Sequence, residues 1–275
     1  MLGENSLLPI FQSSFKGRKG LSRPGDDCAI LTPPPGRKLV QTCDQVVEGV
    51  HVPDGCPPEV MAVKLVRRSL SDLAAAGAEP WAASWTIVAS AGKGGGWMTS
   101  LVKAFLAEAA AFNMGVVGGD VSNGQETVLT CTLLGLEGRR AAPGRGGARP
   151  GDEIWATGTL GGAVESGRHL KPEPRLREGR LLNEVHHAHA MMDLSDGLAA
   201  DLPRLLDASS VGAEIFLEDL PLDSSLKSNL QGWEKAAGDG EDYELLAVLG
   251  PRRDLGAGKD PVLQSCGLTR IGRIV

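Results

Sequence analysis

Five aspartates stand at the ends of short apolar or weakly polar runs: Asp44 after LVQTC, Asp72 in LSDLAA, Asp120 after VVGG, and Asp193 and Asp196 in MMDLSD. Loops at strand or helix ends can aim such side chains into one cleft. Converging carboxylates repel unless cations or protons compensate them, so this placement points to hard divalent ions held beside phosphate oxygens. The alternative is a set of ordinary caps and solvent-facing turns. Asp26 and Asp27, in RPGDDCAIL, add two carboxylates before another apolar run. Neighbouring side chains on an extended backbone point apart, so one can coordinate while the other caps or orients a turn that Pro24-Gly25 already favours.

Other chemistries lack their residues. There is no GxxxxGK[ST] phosphate loop, no HRD or DFG set, no GxSxG serine and no HExxH pair. His186, His187 and His189 fall in a segment read as helix, where a zinc pair is a weaker reading than partly exposed helix residues. The GTLGG run, after an expected strand, could expose main-chain N–H groups to phosphate. Arg145 offers a planar group to nucleotide phosphate or for stacking, or else is a solvent-facing linker residue.

The elements that must position these residues belong to a globular chain. Its 275 residues, 42% hydrophobic and 23% charged, suit one large domain or two ordinary ones and exclude global disorder. A net charge of −6 without a basic stripe argues against a nucleic-acid partner. Cys28, Cys43, Cys56, Cys131 and Cys266 form neither a zinc pattern nor a disulfide framework, so a reducing cytoplasm is expected. The opening MLGENSLLPIFQSSFKGRKG carries neither a leader nor a membrane span, so a soluble protein with no membrane partner is expected.

Periodicity predicts strands over 38–44, 82–89, 114–117 and 127–136, with helices from Pro57 through Ala78 and from Trp97 to Phe112. Ser69 and Ser71 mark a candidate break in the first of these helices. The Gly-, Pro- and Arg-rich stretch 138–151 is the boundary candidate. Beyond it come a strand from Glu153, helices over 174–190 and 197–206, and strands over 213–217 and 243–249. Both halves place glycine and aspartate at the ends of apolar segments. That pattern is either generic α/β anatomy or the mark of two related domains, which different element orders would argue against.

Taken in order, GDDCAIL, LSDLAAAGAEP, VVGGD, MMDLSDGLAADL and GEDYELL resemble the thiamine-monophosphate kinase family of AIR-synthase-like ATP-binding enzymes. GGD or LSD alone carries little; the joint match over most of the chain is specific. The resemblance implies an α/β (α+β) fold of two AIR-synthase-like domains with mixed sheets and flanking helices. The expected division is 1–137, for metal and nucleotide binding and dimerisation, and 138–275, a second domain shortened at its end. It further implies a homodimer that converts thiamine phosphate to thiamine diphosphate, with ATP as co-substrate and Mg2+ as cofactor, by direct transfer without a covalent nucleophile.

By the same resemblance Asp27, Thr42, Asp44, Asp72, Asp120, Asp193 and Asp196 hold metal. Gly119, Asp120, Arg145 and Ser195 meet the nucleotide, His51 and Glu241 meet the substrate, and Asp242 and Tyr243 maintain the GEDYEL turn. Three departures stand out. Cys43 replaces the usual second hydroxyl, Val121 and Ser122 follow GGD where threonines are expected, and the sequence ends at LTRIGRIV without a terminal aromatic extension. A related enzyme with another small-molecule acceptor, or a nucleotide-binding protein without turnover, are the alternatives these departures leave open.

Overall fold

The computed structural model describes residues 4–15, 17–226, 232–251 and 260–275; positions 1–3 and 16 of the opening segment lie outside them. The chain divides into two compact units, residues 1–70 with 80–136, and residues 71–79 with 137–275. Among the described residues no helix is long and apolar enough to cross a membrane.

The first unit runs α1 (Glu4–Ser14), β1 (Leu39–Val47), α2 (Pro58–Ala75), β2 (Glu79–Ser90), α3 (Gly95–Ala111), β3 (Gly115–Gly124) and β4 (Val128–Leu136); the end of α2 and Glu79 count with the second unit. Its sheet has the order β1-β4-β2-β3. β1 and β4 pair antiparallel from Leu39↔Leu136 to Val47↔Val128, and β2 and β3 pair parallel with Trp85 opposite Gly119 and Thr86 opposite Asp120. One face is dry. Leu129, Cys131 and Leu133 alternate with half-buried neighbours along β4, as a strand covered on one side requires, and α2 buries Met61, Leu65 and Leu70. Trp85 stacks on Phe105 of α3 with ring centroids 3.9 Å apart. The other face of β1 is open, with Leu39, Gln41, Cys43 and Gln45 exposed.

α2 has no break. Ser69 Oγ donates back to the Leu65 carbonyl at 2.9 Å and lies 3.2 Å from Cys131 Sγ, so the hydroxyl that interrupts the apolar pattern is satisfied inside the helix. The strand expected over 114–117 extends through Gly124 because pairing with β2 continues past the glycines.

The second unit contains β5 (Glu153–Ala156), α4 (Leu176–Glu184), β6 (Ala190–Leu194), α5 (Leu198–Ser209), β7 (Ala213–Ile215), α6 (Gly232–Gly238), β8 (Glu244–Leu249), α7 (Pro261–Ser265) and β9 (Thr269–Ile274). The sheet order is β6-β8-β5-β9-β7, with every pair antiparallel. β6 and β8 are buried along their whole length. Ile154, Met192, Leu194, Leu246 and Val248 pack with Leu198, Leu202 and Leu205 of α5. On the opposite face Trp155, Met191, Leu245 and Ala247 pack with Leu182 and Leu263.

The helix expected over 174–190 is shorter. It stops at Glu184, and His187 adopts the left-handed conformation with φ 59°, so the three histidines occupy the turn into β6 rather than a helix. After α1 the first unit runs β-α-β-α-β, as the second does from β5, and β1-β4-β2 matches β5-β8-β6 in adjacency. The third strands part company, since β3 lies beside β2 whereas β7 lies beside β9.

Two helical glycines have opposite surroundings. A Cβ on Gly179 of α4 would lie 2.0 Å from the Ala74 carbonyl oxygen, whereas one on Gly96 of α3 would meet nothing within 4 Å. Gly96→Ala should therefore stabilise by about 0.5–1 kcal/mol through helix propensity, and Gly179→Ala should destabilise by about 2 kcal/mol or more. Thermal midpoints moving in opposite directions would bear this out; a rise for both would contradict it.

Candidate functional site

The first unit gathers Asp26, Asp27, Gly118, Gly119 and Asp120 around one cavity of about 330 Å³, with Leu7, Phe11, Trp85 and Ile87 behind them. The glycines open it. A Cβ at Gly119 would stand 2.5 Å from the Trp85 carbonyl oxygen, so only glycine fits there. Asp26, Asp27, Gly119 and Asp120 are exposed. Thr42 and Asp44 sit elsewhere, on β1, and Asp44 Oδ1 is 3.5 Å from Arg68 Nε. β1 and β3 are the two edge strands, with β4 and β2 between them. At ordinary strand spacing that puts the strands bearing Asp44 and Asp120 about 14 Å apart within one chain.

His51 follows β1 in a turn that settles its chemistry. The Val47 N–H donates to His51 Nδ1 at 3.0 Å, so a neutral ring carries its proton on Nε2. Its carbonyl accepts Lys64 Nζ at 2.6 Å. Lys64 is fully buried, and nothing in the order of apolar residues along α2 signals that a lysine there ties down the histidine's backbone.

In the second unit two loops zip together. Glu241 N–H donates to the Ser195 carbonyl at 2.7 Å and Tyr243 N–H to the Leu194 carbonyl at 2.8 Å. Glu241 and Tyr243 hold φ of 69° and 53°, a conformation that costs non-glycine residues energy. The zipper brings together Asp193 near the end of buried β6, Ser195, the exposed Asp196 and Glu241. Asp72, on α2, also belongs to this unit. Arg145 is exposed in the 137–152 segment, its carbonyl accepting Ser209 Oγ at 2.9 Å.

GTLGG is not a phosphate cradle. Gly161 N–H donates to Asp242 Oδ2 at 2.9 Å and Gly162 N–H to Asp239 Oδ2 at 3.1 Å, while Leu160 N–H goes to the Pro221 carbonyl. The Leu160, Gly161 and Gly162 amides that composition leaves available for an anion are therefore taken within the protein, two of them by carboxylates at or beside the GEDYEL turn. Asp242 Oδ1 also accepts Arg168 Nη2 at 3.0 Å. Burial pushes the Asp242 carboxyl up from its usual 3.8 to about 7, against the lowering effects of the Gly161 amide and the Arg168 charge. Glu244, two residues further on in the motif, takes both arms of the Arg175 fork and the Thr157 hydroxyl.

The donor set bears on metal. Among the described residues no group of three His, Cys, Asp or Glu side chains is arranged to hold an ion. Asp26, Asp27 and Asp120 instead offer exposed oxygen donors at one cavity. Mg2+ is characteristically held by one or two carboxylates plus substrate phosphates, so these residues fit an ion that arrives with a nucleotide.

Comparison with known proteins extends the geometry. Residues 25–136 match the N-terminal domain of AIR synthase related proteins, and residues 123–249 match their C-terminal domain. The thiamine-monophosphate kinase of Haemophilus influenzae is 34% identical over 250 residues, 82% of this chain and 75% of that protein. The crystal structure of thiamine-monophosphate kinase from Stenotrophomonas maltophilia aligns with a TM-score of 0.87 at 30% identity, covering 100% of this chain and 94% of that one. AaThiL complexed with AMPPCP and TMP aligns with a TM-score of 0.77 at 28% identity, covering 99% and 91%.

The Asp242 environment predicts a pH dependence. Because its folded pKa is raised, the folded state retains a proton that the unfolded state has lost, and this group's contribution to stability falls as pH rises from about 4 to 7. The Arg168 attraction acts only on the ionised form, above about 7. Arg168→Met should lower the melting temperature by an offset from lost bonds to carbonyls, plus a deficit that grows by several degrees between pH 6 and pH 8.5. A pH-independent deficit would refute the assignment.

Proposed function

We propose, from the premise that the chain belongs to the thiamine-monophosphate kinase family, that it transfers the terminal phosphoryl group of ATP to a phosphate oxygen of thiamine phosphate. The observation that carries this is the identity with such kinases along most of the chain, through both units. The bond between the γ-phosphorus and its β-bridging oxygen breaks, a phosphoanhydride forms, and ADP and thiamine diphosphate leave. No side chain becomes phosphorylated.

Asp27, Thr42, Asp44 and Asp120 of the first unit, with Asp72, Asp193 and Asp196 of the second, are the residues that would hold Mg2+. Bound there, it offsets the repulsion between the ATP phosphates and the acceptor phosphate. The cavity lined by Gly118 and Gly119 receives the nucleotide phosphates, and Arg145 and Ser195 of the second unit are further nucleotide contacts. His51, with its proton on Nε2, donates toward the acceptor phosphate, and Glu241 faces the acceptor from the GEDYEL turn. The 1–137 domain supplies the dimer contact with Asp27, Thr42, Asp44, Asp72, Gly119 and Asp120, and the 138–275 domain supplies Arg145, Asp193, Ser195, Asp196 and Glu241. The reaction runs in the cytoplasm, consistent with five unpaired cysteines.

The separation of Asp44 from Asp120 supports a homodimer. One chain holds them on opposite edges of a sheet, so a symmetric pair that sets β1 of one copy against β3 of the other would unite them at two equivalent sites. The unpaired edge of β1 is the surface for that contact.

Two measurements follow. With ATP and Mg2+, thiamine phosphate should yield thiamine diphosphate and ADP whereas thiamine should not; efficient turnover of another acceptor in place of thiamine phosphate would reject the substrate. Asp44→Asn and Asp120→Asn should each fold and lose about 100-fold or more in activity. Co-refolded as a mixture they should regain about one quarter of wild-type activity, since half the dimers are mixed and each has one intact site. No recovery in mixed dimers would place both aspartates in the same chain's site.

A further inference from the structure

Asp201 is wholly buried and has no role in the assignments above. Its Oδ2 accepts two consecutive main-chain N–H groups, from Ser195 at 3.0 Å and Asp196 at 2.9 Å. Its Oδ1 accepts Arg204 Nη1 at 2.6 Å. Arg204 Nη2 in turn lies 2.7 Å from Asp196 Oδ2. The four interactions close a ring that holds both the main chain and the side chain of Asp196. Asp201 and Arg204 are three residues apart on α5 and so share a helix face. Gly197 makes the turn between ring and helix at φ 97°, where a Cβ would lie 2.7 Å from the Asp239 carbonyl oxygen.

A buried carboxylate is tolerated only when its charge is compensated. Here two amides and one guanidinium do so, and all three donors lead to residues 195 and 196 directly or through Arg204. We propose that Asp201 is a positioning residue for the nucleotide and metal end of the site, fixing the 195–196 turn through its amides and the Asp196 carboxylate through Arg204. The inference rests on Ser195 as a nucleotide contact and Asp196 as a metal ligand.

The ring assigns Arg204 a second consequence. Asp196 is 56% exposed at its side chain and its partner is a cation, so a divalent ion taking Asp196 competes with Arg204. The displaced guanidinium keeps Asp201 as its partner and stays in place. Removing Arg204 leaves the turn standing and Asp196 uncompensated, while removing Asp201 releases the turn itself.

The test uses the full chain with Asp201→Ala and Arg204→Gln, and two readouts that do not involve the acceptor. Amide hydrogen exchange at Ser195 and Asp196 in metal-free protein reports the turn, and calorimetry of AMPPCP binding against Mg2+ concentration reports the ion. Arg204→Gln should keep both amides protected and lower the half-saturating Mg2+ concentration by about threefold. Asp201→Ala should speed exchange of both amides by about tenfold or more and raise the Mg2+ requirement. If Asp201→Ala does not fold, Arg204→Gln decides alone. An unchanged Mg2+ requirement in Arg204→Gln, intact protection in folded Asp201→Ala, or no nucleotide binding by the wild type would each overturn the proposal. Nucleotide binding with these shifts but without thiamine diphosphate formation would sink the acceptor assignment and uphold the positioning role.

Discussion

Carboxylates accepting main-chain N–H groups hold the loops of the second unit, and the shape of the site there depends on them. Asp201 takes the amides of Ser195 and Asp196, Asp242 that of Gly161, and Asp239 that of Gly162. Asp152 takes the Arg149 amide and pairs with His189. Such bonds are roughly twice as strong as neutral ones, and they satisfy an acceptor that would otherwise be costly to bury. Loops tied in this way can carry residues at positive φ, as at Glu241 and Tyr243. Among these acids the buried Asp201 and Asp242 shape the loops, while Asp27, Asp120 and Asp196 face solvent.

That division sets how much of the site was legible in the sequence. Apolar runs place Asp193 near the end of β6, whereas Asp44, Asp120 and Asp72, read as segment-end residues, lie inside β1, β3 and α2 because pairing and helix continue past them. Burial of a particular carboxylate depends on contacts distant in sequence, and no local pattern separates Asp242, an anchor, from Asp196. Asp201 looks like any polar residue on an amphipathic helix, and Lys64 like any lysine. GTLGG reads as an open anion loop because its acceptors, Asp239 and Asp242, lie about eighty residues further on.

Of the fold, most elements were legible, down to the short β5 and β7, but α1, β6, α6, α7 and β9 were not. β9 contains Arg270 and Arg273 and reads as polar, yet pairing with β5 and β7 makes it a strand. The turn at His187 interrupts a segment whose composition favours helix. Sheet order is further from view. That β1 and β3 end at opposite edges is a property of pairings between distant segments, and it separates two aspartates that motif order suggests are neighbours.

The central claim is that Asp27 and Asp120, exposed at the cavity of the first unit, meet the metal together with the nucleotide phosphates, whereas the buried loop anchors Asp201 and Asp242 do not. Anomalous diffraction from crystals grown with Mn2+ and AMPPCP tests it most directly. The account predicts Mn2+ peaks bridging AMPPCP phosphate oxygens and the carboxylates of Asp120 and Asp27, with none at Asp201 or Asp242. A bound nucleotide with Mn2+ on Asp201 or Asp242, or with no metal at Asp120, would contradict it.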